Sequence, residues 1–229
     1  MIDVSFVIPV KNDYRVIESI NKIKEYIHSR VITAEVIICG RLGYNPIPED
    51  VRFIKVEPPD KGRCIRTGAL ASKGNIVILI DSDLPVLLTD IDKVISSAIS
   101  TDVVFGNRYL PYSSRSTNEP LIRRILSVIF RLLIQLIFQL KGFDTQCGVK
   151  AIRKSVKEKL FKHQIVYGFA YDVELAIRTR QLGLNFVQIP VHLKNSLYST
   201  INTRQAIVSI SRELIHLFFY FKLKTIQDI

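Results

Sequence analysis

The 229-residue sequence has no tryptophan, one methionine and three cysteines. Cys39, Cys64 and Cys147 are odd in number, far apart and without a C-x-x-C pair. That excludes a disulfide scaffold, argues against a structural zinc site and fits a reducing setting. The four histidines, His28, His163, His192 and His216, never come at H-E-x-x-H spacing, so they do not form a zinc-hydrolase motif. No glycine-rich turn runs into G-K-[ST], so there is no P-loop. No Ser-His-Asp or Cys-His arrangement stands out either. The opening MIDVSFVIPV lacks the basic start and small-residue cleavage site of a secretory signal and reads as a first buried strand. Acidic residues are also scarce: 21 Asp and Glu against 32 Lys and Arg give a formal net charge of +11.

Hydrophobic residues, by contrast, make up 48% of the chain, too many for a solvated coil and enough for one large α/β domain or two small ones. Apolar runs of strand length alternate with helical patterns. VSFVIPV reads as a strand ended by Pro9, TAEVIICG as a second and VRFIKVE as a third. NIVILID reads as a central strand buried on both faces, and TDVVFGNRY as the next. Helices are expected over Tyr14 to Ser29, Lys61 to Ser72 and Ile91 to Ser100. This order describes an open, doubly wound, mostly parallel α/β sheet, whose ligands sit beyond the carboxyl ends of the strands. The chemistry is therefore expected at Pro9 to Asp13, at Asp81 to Pro85 and near Arg108.

After Pro120 the pattern changes. LIRRILSVIFRLLIQLIFQL is apolar almost all round, with Arg124, Ser127, Arg131, Gln135 and Gln139 forming one polar stripe. A helix of this kind, over about 121–140, lies in a membrane interface more readily than across it, the alternative being a core or dimer helix. A second such helix is expected in 201–229, where Gln205, Ser209, Arg212, Glu213 and His216 share one side. The positive charge fits nucleic acid, an anionic membrane, a phosphorylated substrate or solubility alone. Nucleic acid is disfavoured because the Lys and Arg are spread along the chain without interleaved aromatics.

In NIVILIDSDLP, Asp81 and Asp83 stand two residues apart at the end of a buried strand. Paired hard carboxylates without nearby His or Cys suit Mg²⁺ or Mn²⁺, with a phosphate completing the shell. Lys61, Arg63 and Arg66, near the start of the preceding helix, read as a diphosphate-binding cluster or as a solvated face.

In order along the chain, VIPVKND, KGRCIRTGALASKGNIVILIDSDL, GNRY, DTQCGVKAIRK and YGFAYDVELAIRTRQLG resemble the motifs of the family 2 glycosyltransferases, from Val4 to about Val191. Within that family they are most similar to the polyprenyl-phosphate hexosyltransferases. The resemblance implies a GT-A fold over 1–200, a Rossmann-like sheet flanked by helices, with amphipathic membrane-interface helices at about 121–140 and 201–229. It implies inverting transfer of a hexose to polyprenyl (dolichyl) phosphate. The donor is UDP-glucose or GDP-mannose, with glucose favoured by DTQCG, and the cofactor is Mg²⁺ or Mn²⁺. Carried over by position, Pro9, Lys11, Asp13, Cys39, Arg41, Arg66, Asp81 and Ser82 fall on the nucleotide-sugar site, and Asp81 and Asp83 on the metal. Asp83, Arg108, Arg123 and Asp144 fall on the catalytic set, with the two arginines facing the donor and acceptor phosphates. The expected setting is peripheral, on the cytoplasmic side of a membrane, with a homodimer or a separate membrane subunit as further partners. A non-lipid acceptor and a non-catalytic nucleotide-sugar-binding homologue are the alternatives. The chain departs from the family where an acidic pair becomes Cys39-Gly40-Arg41, at Pro85, and at Thr200, where Lys194 offers a replacement cation.

Overall fold

The computed structural model describes residues 2–43, 47–114, 121–193 and 203–227, with the side chains of 121–124, 126, 203–207 and 222–227 excepted. Its strands are β1 (Val4–Lys11), β2 (Ala34–Arg41), β3 (Arg52–Lys55), β4 (Ile76–Ile80), β5 (Val103–Asn107), β6 (Val149–Arg153) and β7 (Phe186–Pro190). The helices are α1 (Arg15–Arg30), α2 (Lys61–Ala71), α3 (Leu88–Ser100), α4 (Leu121–Ile137), α5 (Lys154–Phe161), α6 (Tyr171–Gln181) and α7 (Thr203–Gln227). The strands form one sheet in the order β3-β2-β1-β4-β6-β5-β7. Only β6 runs against its neighbours β4 and β5.

Alternation along the strands divides the core in two. Phe6 and Ile8 of β1 and Ile78 and Ile80 of β4 pack with Val16, Ile20 and Ile23 of α1 and Ile91 and Val94 of α3. On the other face, Val7, Val77 and Leu79 pack with Ile65 and Ala69 of α2, Ile134 of α4, Val173 and Ile177 of α6, and Leu217 and Phe221 of α7.

One local reading is corrected, and two that the sequence left open are decided. Pro9 does not end the first strand, because β1 continues to Lys11 in register with β2. The Asn12 N–H donates to the Arg41 carbonyl on the β2 side, so by alternation Pro9 faces the β4 side. The ladder there has already stopped at Val7, and the missing N–H of proline costs no bond. The segment after DTQCG, whose conformation the periodicity leaves open, is the antiparallel strand β6. The third concerns α4. The middle of its polar stripe faces the domain, where Arg131 lies 3.7 Å over the Tyr109 ring and Gln135 donates to the Phe143 carbonyl. Its exposed face is apolar: Ile125, Ile129, Leu132, Leu133, Leu136 and Ile137. Among the described residues, no helix is long and apolar enough to cross a membrane.

Candidate active site at the carboxyl edge of the sheet

β1 and β4 are parallel, so their carboxyl ends emerge side by side. After β4 the chain turns at once, and the Leu84 N–H donates to the Asp81 carbonyl. Leu84 is buried with φ 45°, a left-handed conformation uncommon for leucine. Ser19 of α1 donates to the Ser82 carbonyl at 2.8 Å, and Ser82 Oγ donates to Asp13 Oδ2 at 2.8 Å. Asp13 also accepts from the Nε, Nη2 and backbone N–H of Arg15. Those bonds from Arg15, aided by Ser82, hold its carboxyl below the usual carboxylate range against the opposing effect of burial. The two loops are thus one bonded unit, with Asp81 and Asp83 on its open side.

The two carboxylates repel each other. Burial first, and then the charge of Asp81, push the Asp83 carboxyl up. Arg15 Nη1 stands at 4.0 Å, at the limit of an ion pair. Asp81 accepts Lys61 Nζ at 2.8 Å. Gly148, the glycine of DTQCG, makes room for this carboxylate, since a Cβ there would come within 2.8 Å of Asp81 Oδ2 and 2.7 Å of Pro85 Cγ. Gly62 plays a similar part for Lys61: a Cβ would come within 2.7 Å of Tyr171 Cβ and 2.9 Å of the Tyr167 carbonyl oxygen, so only glycine lets α2 begin so close to 167–171.

Two repelling carboxylates at a strand end fit a divalent cation shared with a diphosphate. Among the described residues no group of three or more His, Cys, Asp or Glu forms a complete metal site.

At the end of β5 the arrangement is closed. Arg108 Nε and Nη2 bond Asp144 Oδ2 and Oδ1 at 2.7 and 2.8 Å, and the Arg108 N–H adds a third bond at 2.9 Å. The Asp144 side chain is 1% exposed and that of Arg108 18%. Burial acts to raise the Asp144 carboxyl, but the guanidinium outweighs it and holds the group low. Asn107 braces the same corner by donating to the Gly142 carbonyl and to Gln188 Oε1.

The expected site residues divide accordingly. Asp13, Asp81, Ser82 and Asp83 come together. Lys11 and Arg41 are paired neighbours, exposed at the ends of β1 and β2, and Arg41 stands 3.7 Å from Glu57. Pro9 is buried in β1. Arg108 and Asp144 pair with each other. Arg123 lies in the first turn of α4 and its side chain is outside the described residues, as are Lys194 and Thr200.

Two placements go against expectation. Cys39 is fully buried under α2 beside Ile37, Val56 and Cys64, and burial pushes its thiol up to about 12, so its side chain does not reach the open edge. Arg66 donates to the Phe161 and Lys162 carbonyls and so caps the end of α5. The basic cluster of α2 is thereby split, since helical geometry sends residues 61, 63 and 66 in different directions. Arg63 lies 4.4 Å over the Tyr167 ring, and Lys61 alone joins the carboxylates. Sequence reasoning passed over Lys150, which is 2.5 Å from Asp172. A lysine in a strand reads as an edge residue, yet Lys150 is 2% exposed.

In fold, this is a GT-A glycosyltransferase architecture. It superposes on glucosyl-3-phosphoglycerate synthase from Mycobacterium tuberculosis in complex with Mn²⁺ and UDP-glucose with a TM-score of 0.68 at 18% identity, over 95% of this chain and 78% of that one. On the same enzyme with Mn²⁺, UDP-glucose and phosphoglyceric acid, the TM-score is 0.66 at 17% identity, covering 91% and 78%.

In sequence, the chain is similar to proteins named dolichyl-phosphate beta-glucosyltransferase. One from Trichomonas vaginalis is 24% identical over 176 residues, 73% of this chain and 52% of the relative. One from Dictyostelium discoideum is 23% identical over 182 residues, 76% and 55%. The chain thus spans about half the length of these curated relatives. No protein-family model matches it.

Proposed function

We propose that this chain transfers glucose from UDP-glucose to a polyprenyl phosphate, with inversion at the anomeric carbon, at the surface of a membrane. The observation that carries the reading is the Asp81 and Asp83 pair. It is held open at the carboxyl edge of the sheet, fixed to the β1 loop through Ser82 and Asp13, and faced by Lys61. The similarity to dolichyl-phosphate beta-glucosyltransferases supports the sugar and the acceptor class, and the neighbours solved with Mn²⁺ and UDP-glucose support the donor.

Transfer between two phosphorylated partners is first a charge problem. Two unit charges about 5 Å apart repel by about 3 kcal/mol at an effective dielectric near 20, and several such pairs arise. Asp81 and Asp83 would hold Mg²⁺ or Mn²⁺, which supplies stabilisation of the departing diphosphate. Lys11 and Arg41 supply cations at the mouth of the nucleotide loop. Arg108, fixed by Asp144, and Arg123, at the start of α4, are the cations assigned to the reacting phosphates. A monoester phosphate has its second pKa near 6 and is largely ionised at neutral pH, so no general base is required.

The apolar outer face of α4, with Val208, Ile215 and Phe219 exposed on α7, supports peripheral docking on a lipid surface, where the net charge of +11 favours anionic headgroups. On this reading 1–200 form the transferase domain and 201–229 an interfacial segment whose α7 packs on the domain through Leu217 and Phe221. The test is transfer from radiolabelled UDP-glucose or GDP-mannose into detergent-dispersed polyprenyl phosphate, with Mn²⁺ or with EDTA. Metal-dependent label in the organic phase from UDP-glucose is expected. Label confined to the aqueous phase defeats the lipid acceptor, label only from GDP-mannose defeats the donor, and none from either defeats the activity.

A further inference from the structure

Asp81 is paired with a cation of the protein's own. Lys61, the first residue of α2, places Nζ 2.8 Å from Asp81 Oδ1 and 3.9 Å from Asp172 Oδ2. Its ammonium also lies 5.9 Å from the Phe169 ring centroid and 5.7 Å from that of Tyr171. One cation therefore sits between two carboxylates, close to the first and within reach of the second.

The second carboxylate is built to stay put. Asp172 is in the first turn of α6, where the helix dipole favours a negative charge. Its Oδ1 accepts Lys150 Nζ at 2.5 Å, and Lys150 is anchored in turn by the Cys147 carbonyl at 2.8 Å. Asp172 and Lys150 are each 3% exposed, whereas Lys61 is 20% and Asp81 30% exposed. The exposed end of the row, Asp81 and Lys61, can adjust. The buried end cannot do so without leaving a charge unpaired.

Lys61 Nζ sits on Asp81 Oδ1, and a dication brought to the same carboxylate would be repelled by an ammonium a few ångströms away. Release of Lys61 to water would forfeit its pairing, while a small shift toward Asp172 would keep it. We propose that Lys61 is a built-in counter-ion, seated on Asp81 and handed to Asp172 when a divalent cation binds. Asp172 is then a positioning residue for the cation site, acting through Lys61. The inference rests on the metal reading given above, and it deepens that reading by assigning the residues that make way for the ion.

The test is Mn²⁺ binding to the full chain without nucleotide, read from the paramagnetic resonance of free Mn²⁺ at neutral pH. Removing one positive charge a few ångströms from the ion tightens binding by about tenfold or more at an effective dielectric near 20, so Lys61→Met is expected to bind Mn²⁺ more tightly than wild type. Asp172→Asn keeps an acceptor for Lys150 and is expected to weaken binding, because Lys61 then has no second seat.

The decisive quantity is the coupling between the two changes. Asp172→Asn should cost at least about threefold more Mn²⁺ affinity with Lys61 present than in the Lys61→Met background. Equal losses in both backgrounds would make Asp172 a purely structural or long-range charge and overturn its role. A Lys61→Met chain that binds no more tightly than wild type overturns the handover while leaving the metal site standing. Should Asp172→Asn fail to fold, the Lys61→Met comparison still decides. A wild-type chain that binds no Mn²⁺ removes the metal reading and the handover together.

Discussion

Asp83 and Asp144 are both acidic, both at the carboxyl edge of one sheet, and shifted in opposite directions. Asp83, pushed up by burial and by Asp81, shares its loop with a second carboxylate. Asp144 is deeper, yet it is held low because Arg108 meets it through three donors. Burial alone therefore does not set the direction of the shift. What separates them is their nearest neighbours: Asp83 has Asp81 beside it and Arg15 at 4.0 Å, while Asp144 has a guanidinium on both of its oxygens.

The closed pair should show the larger stability effect. Asp144→Asn strands the Arg108 guanidinium and is expected to cost about 3–5 kcal/mol, lowering the melting temperature by about 10 °C for a chain of this size. A scan by calorimetry or circular dichroism checks it. Replacing Arg108 by Met together with Asp144→Asn should recover part of the loss, since no uncompensated charge remains. If the double variant is as unstable as the single, the pair is not the source of the effect.

Acid should then sharpen the contrast, with opposite signs at the two sites. The Asp144 pKa is lower folded than unfolded, so its contribution is present above the ordinary carboxylate range and is lost as pH falls through the lowered folded value. The Asp83 pKa is higher folded than unfolded. Its ionisation therefore costs stability, and that cost grows as pH rises from the unfolded value through the raised folded one. In EDTA, wild type should be more stable than Asp144→Asn across the neutral and mildly acidic range. Asp83→Asn should at least match wild type at neutral pH, an advantage that closes on acidification. Urea midpoints against pH read both curves, and parallel curves would erase the distinction.

Turnover should reverse the ranking. Asp83→Asn is expected to cost at least about a hundredfold in glucosyl transfer, the scale of losing a group that stabilises charge in the transition state, while its melting temperature stays within a few degrees of wild type. Activity that survives the change, measured with Mn²⁺ present, would show that the ion is not held by this carboxylate.

The strand order of motifs made the parallel half of the sheet and the Asp81-Ser82-Asp83 turn legible, because buried strands and strand-end carboxylates are local patterns. β6 was not, since VKAIR mixes lysine and arginine into a strand whose Lys150 is buried only through its partner in α6. Spacing likewise gathered Lys61, Arg63 and Arg66 into one cluster, although their destinations are set by carboxylates, a tyrosine ring and a helix end that lie distant in the chain. The stripe on α4 was visible, but not which side of it faced the domain. A polar residue can turn inward whenever a ring or a carbonyl waits for it, as Tyr109 and Phe143 do here.

That inversion carries the comparison from charges to apolar groups. α1 finishes its stripe inside the domain, where Val16, Ile20 and Ile23 are fully buried. α4 turns Leu132, 51% exposed, and Leu136, 79% exposed, outward. Ile20→Ser should therefore cost about 3 kcal/mol or more through a cavity and an unpaired hydroxyl. Leu132→Ser with Leu136→Ser should change stability by less than about 1 kcal/mol, as surface substitutions do. If the outer face of α4 enters a lipid interface, each leucine contributes on the order of 1–2 kcal/mol there. The double change should then lower partition onto phosphatidylserine-containing vesicles at least about tenfold in a sedimentation assay, with the thermal melt in buffer almost unmoved. A melt that falls as far as that of Ile20→Ser would mean that the leucines are covered by protein in solution. An unchanged melt with unchanged sedimentation would leave α4 without a lipid partner and move membrane docking to α7 or to the basic edge alone.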